Sequence, residues 1–253
     1  MMRLFIIVFI QFFFSVANAR DIGETEITTE DGIEVFQKEK YYLLKKNVQI
    51  LSDDFDLTAD NVKIYFDKDM YDIVELDGKK NVNFNSKKFN ISGKGENLNF
   101  DIKNQIIFVS GFRSNLFFKN LKMLSDGQIS VDNMLGTFFI NGPNSNLVSD
   151  TVHIDAKKIS GDFQMLNNER NISNLIVEDK NKLKIKTDDI LMYSKKAIFN
   201  NEKSIIELFE DVSIIRGKET ITGDFGIFNT AKNSYKVSSK NSKKVKVIIG
   251  SNE

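Results

Sequence analysis

The sequence contains no cysteine and no tryptophan, and it has one proline and one histidine. Without cysteine the chain can form neither a disulfide nor a thiolate metal site. Lysine plus arginine and aspartate plus glutamate number 35 each, so no strong positive field is present to attract nucleic acid. These absences count against a disulfide-stabilised scaffold, a zinc-thiolate protein and a nucleic-acid-binding protein.

Candidate catalytic and metal-binding residues are equally scarce. The single histidine, His153, lies in the strand-like stretch TVHID and has no second histidine or cysteine to complete a metal site or a triad. Residues 67–78 carry spaced acidic residues, but Tyr71 and Asp72 occupy the fifth and sixth positions, where a calcium loop has Asp or Asn and then Gly. We therefore predict that the protein is not an enzyme, with no catalytic residue, no metal site and no cofactor.

The N-terminus has the layout of a secretory signal peptide. Arg3 precedes an apolar run over residues 4–16, and Ala17-Asn18-Ala19 follows as a small-residue cleavage site. Residues 1–19 are predicted to be removed, which would leave an exported chain of residues 20–253. The alternative is an uncleaved anchor, but the run is interrupted by Gln11 and is shorter than the roughly 20 residues of a membrane span.

Most of the remaining sequence alternates between apolar and polar residues with a period of two. Stretches such as NVQI, DNVKIYF, NVNFN and KLKIK show this pattern, which places apolar side chains on one face of a sheet. Short turn-forming stretches between them predict an antiparallel all-β fold, and the ambiguous residues 204–212 are assigned to a strand from their neighbours. The predicted turns are residues 53–54, 67–69, 77–78, 141–143 and 200–201.

One six-residue motif occurs twice, as KKNVQI at residues 45–50 and as KKNVNF at residues 79–84. Gap-free alignment extends the similarity over residues 45–78 and 79–112, a period of 34 residues, and a looser copy begins at Glu210. A helical repeat of this length is excluded because the apolar period is two. We predict that each KKNV forms a turn and the first strand of a unit, and that the units stack into one sheet.

The apolar face of such a sheet has two possible roles. In a closed barrel or sandwich it is only a core, whereas between splayed sheets the same residues line a groove suited to acyl chains. Alternation alone does not decide between a core and a groove.

Two segments of the chain resemble the OstA-like/LptA family of periplasmic lipopolysaccharide-transport proteins. Residues 27–66 contain an extended strand, Lys46-Asn47-Val48 in place of the family's Gly-Asn-Val, and then Leu57-Thr58-Ala59-Asp60 in place of its Leu-x-Ala-Asp. Residues 208–237 and the KKVKVIIG stretch at 243–250 are similar to the C-terminal strands of the family. Residues 112–175 resemble it least, and the chain length implies extra strands.

The resemblance implies a twisted antiparallel β-jellyroll, also called a β-taco, built from repeated strand units. Residues 20–253 would form a single such domain, with a further division into repeat halves at 20–140 and 141–253. Its apolar groove would shield the acyl chains of lipopolysaccharide. The residues expected to line this groove are Val48, Ile50, Leu57, Val62, Ile64, Phe66, Val82, Phe84, Phe89, Ile91, Leu98, Phe100, Val212, Ile214 and Ile221.

The resemblance also implies partners and a location. The expected protein is a periplasmic carrier and bridge that joins inner-membrane LptC-like and outer-membrane LptD-like β-jellyroll domains and forms head-to-tail homo-oligomers by strand addition. Two alternatives remain: an LptC-like partner anchored by its N-terminal segment, and a structural β-repeat protein with a closed core and no ligand.

Overall fold

We analysed a computed structural model of the chain, which describes residues 23–70, 72–149, 152–167, 169–239 and 244–250. The described residues form 20 strands joined in one sheet, and every ladder in it is antiparallel. The predicted signal peptide and its cleavage site lie outside the described residues. The prediction of an antiparallel all-β fold is confirmed.

The strands, numbered along the chain, range from three to 18 residues in length. They are β1 (Glu26–Thr28), β2 (Ile33–Phe36), β3 (Tyr41–Leu51), β4 (Phe55–Phe66), β5 (Ile73–Ser86), β6 (Ile91–Asp101), β7 (Ile106–Ser110), β8 (Ser114–Phe117), β9 (Leu121–Ser125), β10 (Gln128–Asp132), β11 (Thr137–Asn141), β12 (Asn146–Ser149), β13 (His153–Asp155), β14 (Lys158–Leu166), β15 (Glu169–Lys186), β16 (Ile190–Asn200), β17 (Ile205–Arg216), β18 (Glu219–Asn229), β19 (Ser234–Ser238) and β20 (Lys246–Ile249). Within the described residues no helix is long and apolar enough to span a membrane.

Each long strand bends once, and the bends divide the sheet into two walls. In the β3–β4 ladder, Lys45 pairs with Asn61, and pairing resumes only at Val48 opposite Ala59. Unpaired residues at such a bulge bend the strand and increase its twist. The same interruption recurs between β5 and β6 and between β17 and β18, so the bends line up as one row of corners.

The two walls follow from the ladders on either side of the corners. The first wall contains, in order, β2, the N-terminal half of β3, the C-terminal half of β4, the N-terminal half of β5, the C-terminal half of β6, β7, β10, β11, β14, the N-terminal half of β15, the C-terminal half of β16, the N-terminal half of β17, the C-terminal half of β18 and β19. The second wall contains β1, the remaining halves of the same strands, β8, β9, β12, β13 and β20.

The KKNV motif forms the corners of β3 and β5. Lys46 and Asn47 have φ of 66° and 50°, and Lys80 and Asn81 have φ of 61° and 52°. Asparagine tolerates this left-handed region better than most residues, so the motif encodes two consecutive left-handed residues. The predicted turn-plus-strand arrangement of KKNV is therefore wrong, because both copies lie inside strands that bend and continue.

The same mechanism accounts for one incorrect turn prediction. Residues 77–78 lie within β5, just before its corner, whereas residues 53–54 and 67–69 do connect strands. Residues 141–143 and 200–201 begin the connections after β11 and β16, and residues 204–212 lead into and form the predicted strand β17. Turn-forming residues thus mark both reversals and bends.

In the middle of the chain, β7 to β14, the strands end at the corner instead of bending through it. Gly111, between β7 and β8, has a φ of 113°, and Gly142, between β11 and β12, has a φ of 140°. A Cβ on Gly127 would lie 2.2 Å from the carbonyl oxygen of Asn141, so neighbouring corners approach closely here. Glycine permits both this backbone conformation and this contact.

The apolar core lies between the two walls. Inward positions alternate with outward ones along every long strand, as in β4, whose buried residues include Phe55, Leu57, Val62 and Ile64. Apolar residues from β3 to β18 belong to one continuous cluster. The fold is therefore a roll of two facing sheet walls, joined along the corners.

Candidate functional site

The roll opens along the side opposite the corners, between the two rows of hairpin turns, and we call this gap the mouth. Towards the C-terminal end the mouth leads into a cavity of about 560 Å³, the C-terminal cavity. Both walls contribute to its apolar floor, since Leu175 and Ala197 belong to the first wall and Ile185 to the second. The other apolar lining residues are Val152, Ile154, Ile172, Val177, Phe199, Ile206 and Phe228.

The rim of the C-terminal cavity is polar, and two of its carboxylates form ion pairs. Glu169 forms an ion pair with Lys119, with 2.8 Å between Oε1 and Nζ, and Asp189 forms one with Arg216, with 2.7 Å between Oδ2 and Nη2. The side-chain amide of Asn233 also donates to Asp189, at 3.3 Å. An apolar floor with a polar rim suits a ligand that has an apolar body and a polar end.

A second cavity of about 350 Å³, the N-terminal cavity, lies in the mouth near the other end of the roll. Its apolar lining includes Phe55, Phe89 and Phe100, and its rim includes Asp53 and Asp54. The interior behind it is filled, because Phe84 and Phe100 are 3% and 2% exposed and pack with ring centroids 6.4 Å apart.

Between the two cavities, polar contacts tie the rows of turns together across the mouth. Asn120, after β8 in the second wall, donates from Nδ2 to the carbonyl oxygen of Arg170 at 3.0 Å. In return the backbone N–H of Arg170, in the first wall, donates to Oδ1 of Asn120 at 3.1 Å. We call Asn120 and Arg170, with the partners of the Arg170 side chain, the clasp.

The Arg170 side chain extends the clasp to Asn133, after β10, and to Phe89, in the β5–β6 turn. Its Nη2 donates to Oδ1 of Asn133 at 2.6 Å and to the carbonyl oxygen of Phe89 at 3.3 Å. The guanidinium carbon lies 4.3 Å from the ring centroid of Phe118 and 5.4 Å from that of Phe163. Cation–π contacts of this kind add to the polar bonds, so the clasp closes the mouth at its centre.

The electrostatics of Arg170 are unusual for a surface strand. The residue is only 4% exposed, and burial lowers the pKa of its guanidinium to about 10, which keeps it charged at neutral pH. In the described part of the chain no carboxylate forms an ion pair with it, and its Nε has no hydrogen-bond partner. A buried charge with only neutral partners is costly, which marks the position as a candidate functional one.

His153 lies outside the mouth in a polar network on β13. Its Nε2 is 3.1 Å from Oδ1 of Asp155, and Asn146 contacts both side chains. Burial acts to raise the pKa of Asp155, but bonds from Asn146 and Lys184 and the charge of His153 outweigh it and lower the pKa. Among the described residues no cluster of His, Asp and Glu is arranged to hold a metal ion.

The predicted groove residues all lie on strands or turns around the interior. Phe89 and Phe100 line the N-terminal cavity, and no predicted residue lines the C-terminal cavity. Phe66 is buried beside Tyr42, and Phe89 and Ile221 are half-buried. The others belong to the packed core: Val48, Ile50, Leu57, Val62, Ile64, Val82, Phe84, Ile91, Leu98, Phe100, Val212 and Ile214.

Sequence reasoning missed the C-terminal cavity and the clasp. Ala197 and Phe199 alternate with outward residues in β16 as regularly as the predicted groove residues do, so periodicity contained a signal for them. Arg170 and Asn120 carried no signal, because a charged residue near a turn is ordinary and their contact joins residues 50 positions apart.

Comparison with known proteins gives three findings. Residues 28–121 match the family model described as "LptA/(LptD N-terminal domain) LPS transport protein". No curated protein sequence matches the chain. Among solved structures, LptH from Pseudomonas aeruginosa, described as the LptA homologous periplasmic component of the lipopolysaccharide transport device, aligns with 10% identity and a TM-score of 0.43 over 52% of this chain and 95% of that chain.

The matched residues 28–121 extend from the last residue of β1 to the first residue of β9 and include both KKNV corners. The match covers almost all of residues 27–66, where the N-terminal motifs resemble the OstA-like/LptA family, whereas the C-terminal segments 208–237 and 243–250 lie outside it. Residues 28–121 are therefore similar to the LptA/(LptD N-terminal domain) family of LPS transport proteins.

Proposed function

We propose that the protein is a periplasmic carrier and bridge that holds the acyl chains of lipopolysaccharide inside its roll during transport from the inner to the outer membrane. The observation that supports this most is the C-terminal cavity, which opens at the mouth and has an apolar floor. The family match of residues 28–121 supports lipopolysaccharide as the cargo. Transport would be driven by other proteins, and we propose no catalytic role for the chain.

The physical basis is burial of hydrocarbon. Each Å² of apolar surface removed from water contributes about 25 cal/mol, so a cavity that covers part of an acyl chain stabilises it substantially. Val177 and Ile206 present apolar side chains to this space, while Asn171 and Asn201 at the rim are polar. We further propose that the predicted groove residues continue the same apolar surface along the roll when the mouth opens.

Site-specific crosslinking tests the carrier role. We expect a photo-crosslinking amino acid at Phe199, which lines the C-terminal cavity, to form an adduct with lipopolysaccharide in the purified protein. The matched control is the same amino acid at Ile198, which precedes Phe199 by one position and faces the opposite side of the sheet. Adducts at Ile198 but not at Phe199 would contradict the assignment of the interior as the binding surface.

A second pair of positions tests the N-terminal part of the proposed groove. Phe84, in β5, faces the interior of the roll, and the neighbouring Asn83 faces solvent. An adduct at Phe84 and none at Asn83 would place the cargo along the whole roll. An adduct at Phe199 alone would restrict the cargo to the C-terminal cavity.

A closed-core structural protein is the second candidate, and the filled N-terminal interior favours it. Leu57, Ile64 and Phe100 are at most 2% exposed, as expected for a packed core. This candidate predicts no adduct at Phe199 or Phe84 and no lipid in an extract of the purified protein. The LptC-like alternative differs in its N-terminus, and sequencing the exported protein distinguishes them: a start at Arg20 indicates cleavage of residues 1–19.

We also propose that residues 20–253 form one domain that joins LptC-like and LptD-like partners, and other copies of itself, by strand addition. Each wall ends in a short strand with exposed apolar residues, such as Val35 in β2, 46% exposed, and Ile249 in β20, 76% exposed. Edge strands with unpaired backbone groups accept another strand readily. Sedimentation velocity should show concentration-dependent oligomers that Val35→Lys or Ile249→Lys weakens, and a monomer at all concentrations would contradict this.

A further inference from the structure

The clasp contains a charge that the fold does not neutralise. Arg170 is 4% exposed, and its Nη2 bonds only to the amide oxygen of Asn133 and the carbonyl oxygen of Phe89. In the described part of the chain it has no carboxylate partner, and its buried Nε has no partner at all. Buried guanidinium groups are normally paired with an anion, because the desolvation of the charge is otherwise uncompensated.

This charge lies at the boundary of the C-terminal cavity. Arg170 and Asn120 both line that cavity, together with Asn171 and the apolar side chains of Ile172 and Leu175. A ligand in the cavity would therefore touch an apolar floor and, at the clasp end, a guanidinium. Arg170 is the cation among the cavity-lining residues, and the nearby cations Lys119 and Arg216 are already engaged by the lining carboxylates Glu169 and Asp189. The third lining carboxylate, Asp188, has no ion pair in the described part of the chain.

We propose that Arg170 binds the anionic headgroup, a phosphate or a carboxylate, of an amphiphile whose acyl chain occupies the C-terminal cavity. This inference rests on the proposed lipid-carrier function and specifies which end of the lipid is recognised and where. A guanidinium presents a planar fork of N–H donors that matches both anions with two parallel hydrogen bonds. Arg170 thus determines the orientation of the amphiphile, with its head at the clasp and its chain directed towards Ala197 and Phe228.

Binding of the headgroup also affects the clasp. The anion competes with the carbonyl oxygen of Phe89 for Nη2, and the Phe89 contact is the longer of the two side-chain bonds, at 3.3 Å against 2.6 Å for Asn133. Phe89 lines the N-terminal cavity. Loading of the C-terminal cavity therefore releases the contact through which Arg170 reaches the β5–β6 turn.

Calorimetric titration below the micelle concentration tests the proposal with three probes: dodecyl phosphate, dodecyl maltoside and inorganic phosphate. We expect the unmodified protein to bind dodecyl phosphate about tenfold or more tightly than dodecyl maltoside, as one charge-assisted contact implies. Arg170→Met should abolish this preference and leave dodecyl maltoside binding within about twofold of its original value, on the same scale. Arg170→Lys, which keeps the charge but not the fork, should retain part of it.

The matched control is Arg216→Met, which removes a rim arginine that Asp189 already neutralises, and it should leave the preference unchanged. Equal affinity of the unmodified protein for the two amphiphiles overturns the proposal even if Arg170→Met does not fold. So does inorganic phosphate binding as tightly as dodecyl phosphate, because the site then recognises a free anion. If neither amphiphile binds, the carrier function itself fails, whereas binding of both without a preference refutes only the role of Arg170.

Discussion

The two ends of the roll are built from the same bent strands but differ in what lies between the walls. At the N-terminal end, Phe84 and Phe100 fill the interior, and Phe89 packs edge-on against Phe100 with centroids 6.1 Å apart. At the C-terminal end, Ala197 takes an inward position on the first wall, and a cavity of about 560 Å³ remains beside it. Side-chain volume, rather than strand geometry, therefore decides where the roll has room for a ligand.

Truncation of the interior phenylalanines gives the largest expected effect. Phe100→Ala removes a ring that is 2% exposed and should lower the free energy of unfolding by about 3–5 kcal/mol, because a cavity is left in a packed core. Phe199→Ala, which enlarges a cavity that already exists, should cost about 1–2 kcal/mol. Urea denaturation measures both, and equal losses would show that the two interiors are packed alike.

Insertion of a large side chain tests the same difference in the opposite direction. Ala59→Phe in β4 should destabilise the protein by about 1–3 kcal/mol, because that interior has no free space. Ala197→Phe in β16 should cost less than about 1 kcal/mol and should weaken dodecyl maltoside binding about tenfold, since the new ring occupies the C-terminal cavity. A larger loss of stability for Ala197→Phe than for Ala59→Phe would contradict the cavity.

Substitutions at the corners should change the free energy of unfolding by similar amounts at both ends of the roll. Asn81 and Asp211 have the same φ, 52°, and each contacts the neighbouring strand, through Asp60 and Lys195 respectively. Replacement of either by valine should lower the unfolding free energy by about 1–2 kcal/mol, because a β-branched residue is strained in the left-handed region.

Glycine at the same positions serves as the control for the corners. Asn81→Gly and Asp211→Gly keep the backbone conformation and lose only the side-chain contact, so they should cost less than the valine variants. A valine variant that unfolds at the same urea concentration as its glycine counterpart would show that the left-handed conformation does not require these residues.

The smallest expected effect is acid destabilisation at the C-terminal end. Hydrogen bonds from Lys158 and Lys196 lower the pKa of Glu178 below its ordinary value of 4.5. A carboxylate whose pKa is lower in the folded state stabilises the fold fully above its unfolded pKa, and this contribution is lost as pH falls towards the folded pKa. Stability should therefore decline below about pH 4.5.

Glu178→Gln should make stability, measured as the urea concentration at the unfolding midpoint, fall less steeply between about pH 5 and about pH 3. The control, Glu202→Gln in the exposed β16–β17 turn, removes a carboxylate for which the described part of the structure shows no ion pair. An unchanged slope in Glu178→Gln would show that its ion pairs contribute nothing to the pH dependence.

Much of the fold was predictable from the sequence, because the alternation of strand residues still assigns side chains to the correct face when a repeat is misaligned by two residues. The β3–β4 turn closes between Ser52 and Phe55, whereas the β5–β6 turn closes between Ser86 and Ile91 and is two residues longer. The gap-free repeat is therefore displaced by two residues in the returning strand. An even displacement keeps strand residues on their predicted faces, as it does for Ile91, Leu98 and Phe100, whereas Phe89 lies in the longer turn.

The site was less predictable, because its features depend on contacts between distant residues. KKNV was recognised as turn-forming, but only the ladders on both sides show that the chain bends there and does not reverse. Inward orientation was predictable for Val48 and Phe84, but whether they line a cavity depends on the volume contributed by the opposite wall. The clasp joins the turns before β9 and within the β14–β15 hairpin, which no local pattern connects.

The strands, their inward faces, the repeated KKNV motif and the similarity to a lipopolysaccharide-transport family could all be recognised in the sequence. Alternation with a period of two and short motifs are local properties of the chain. The folded structure was needed to show that KKNV bends a continuous strand, that the C-terminal cavity is the larger of the two described, and that Arg170 and Asn120 close the mouth. Those outcomes depend on which side chains face one another across the two walls, and that pairing exists only in the folded roll.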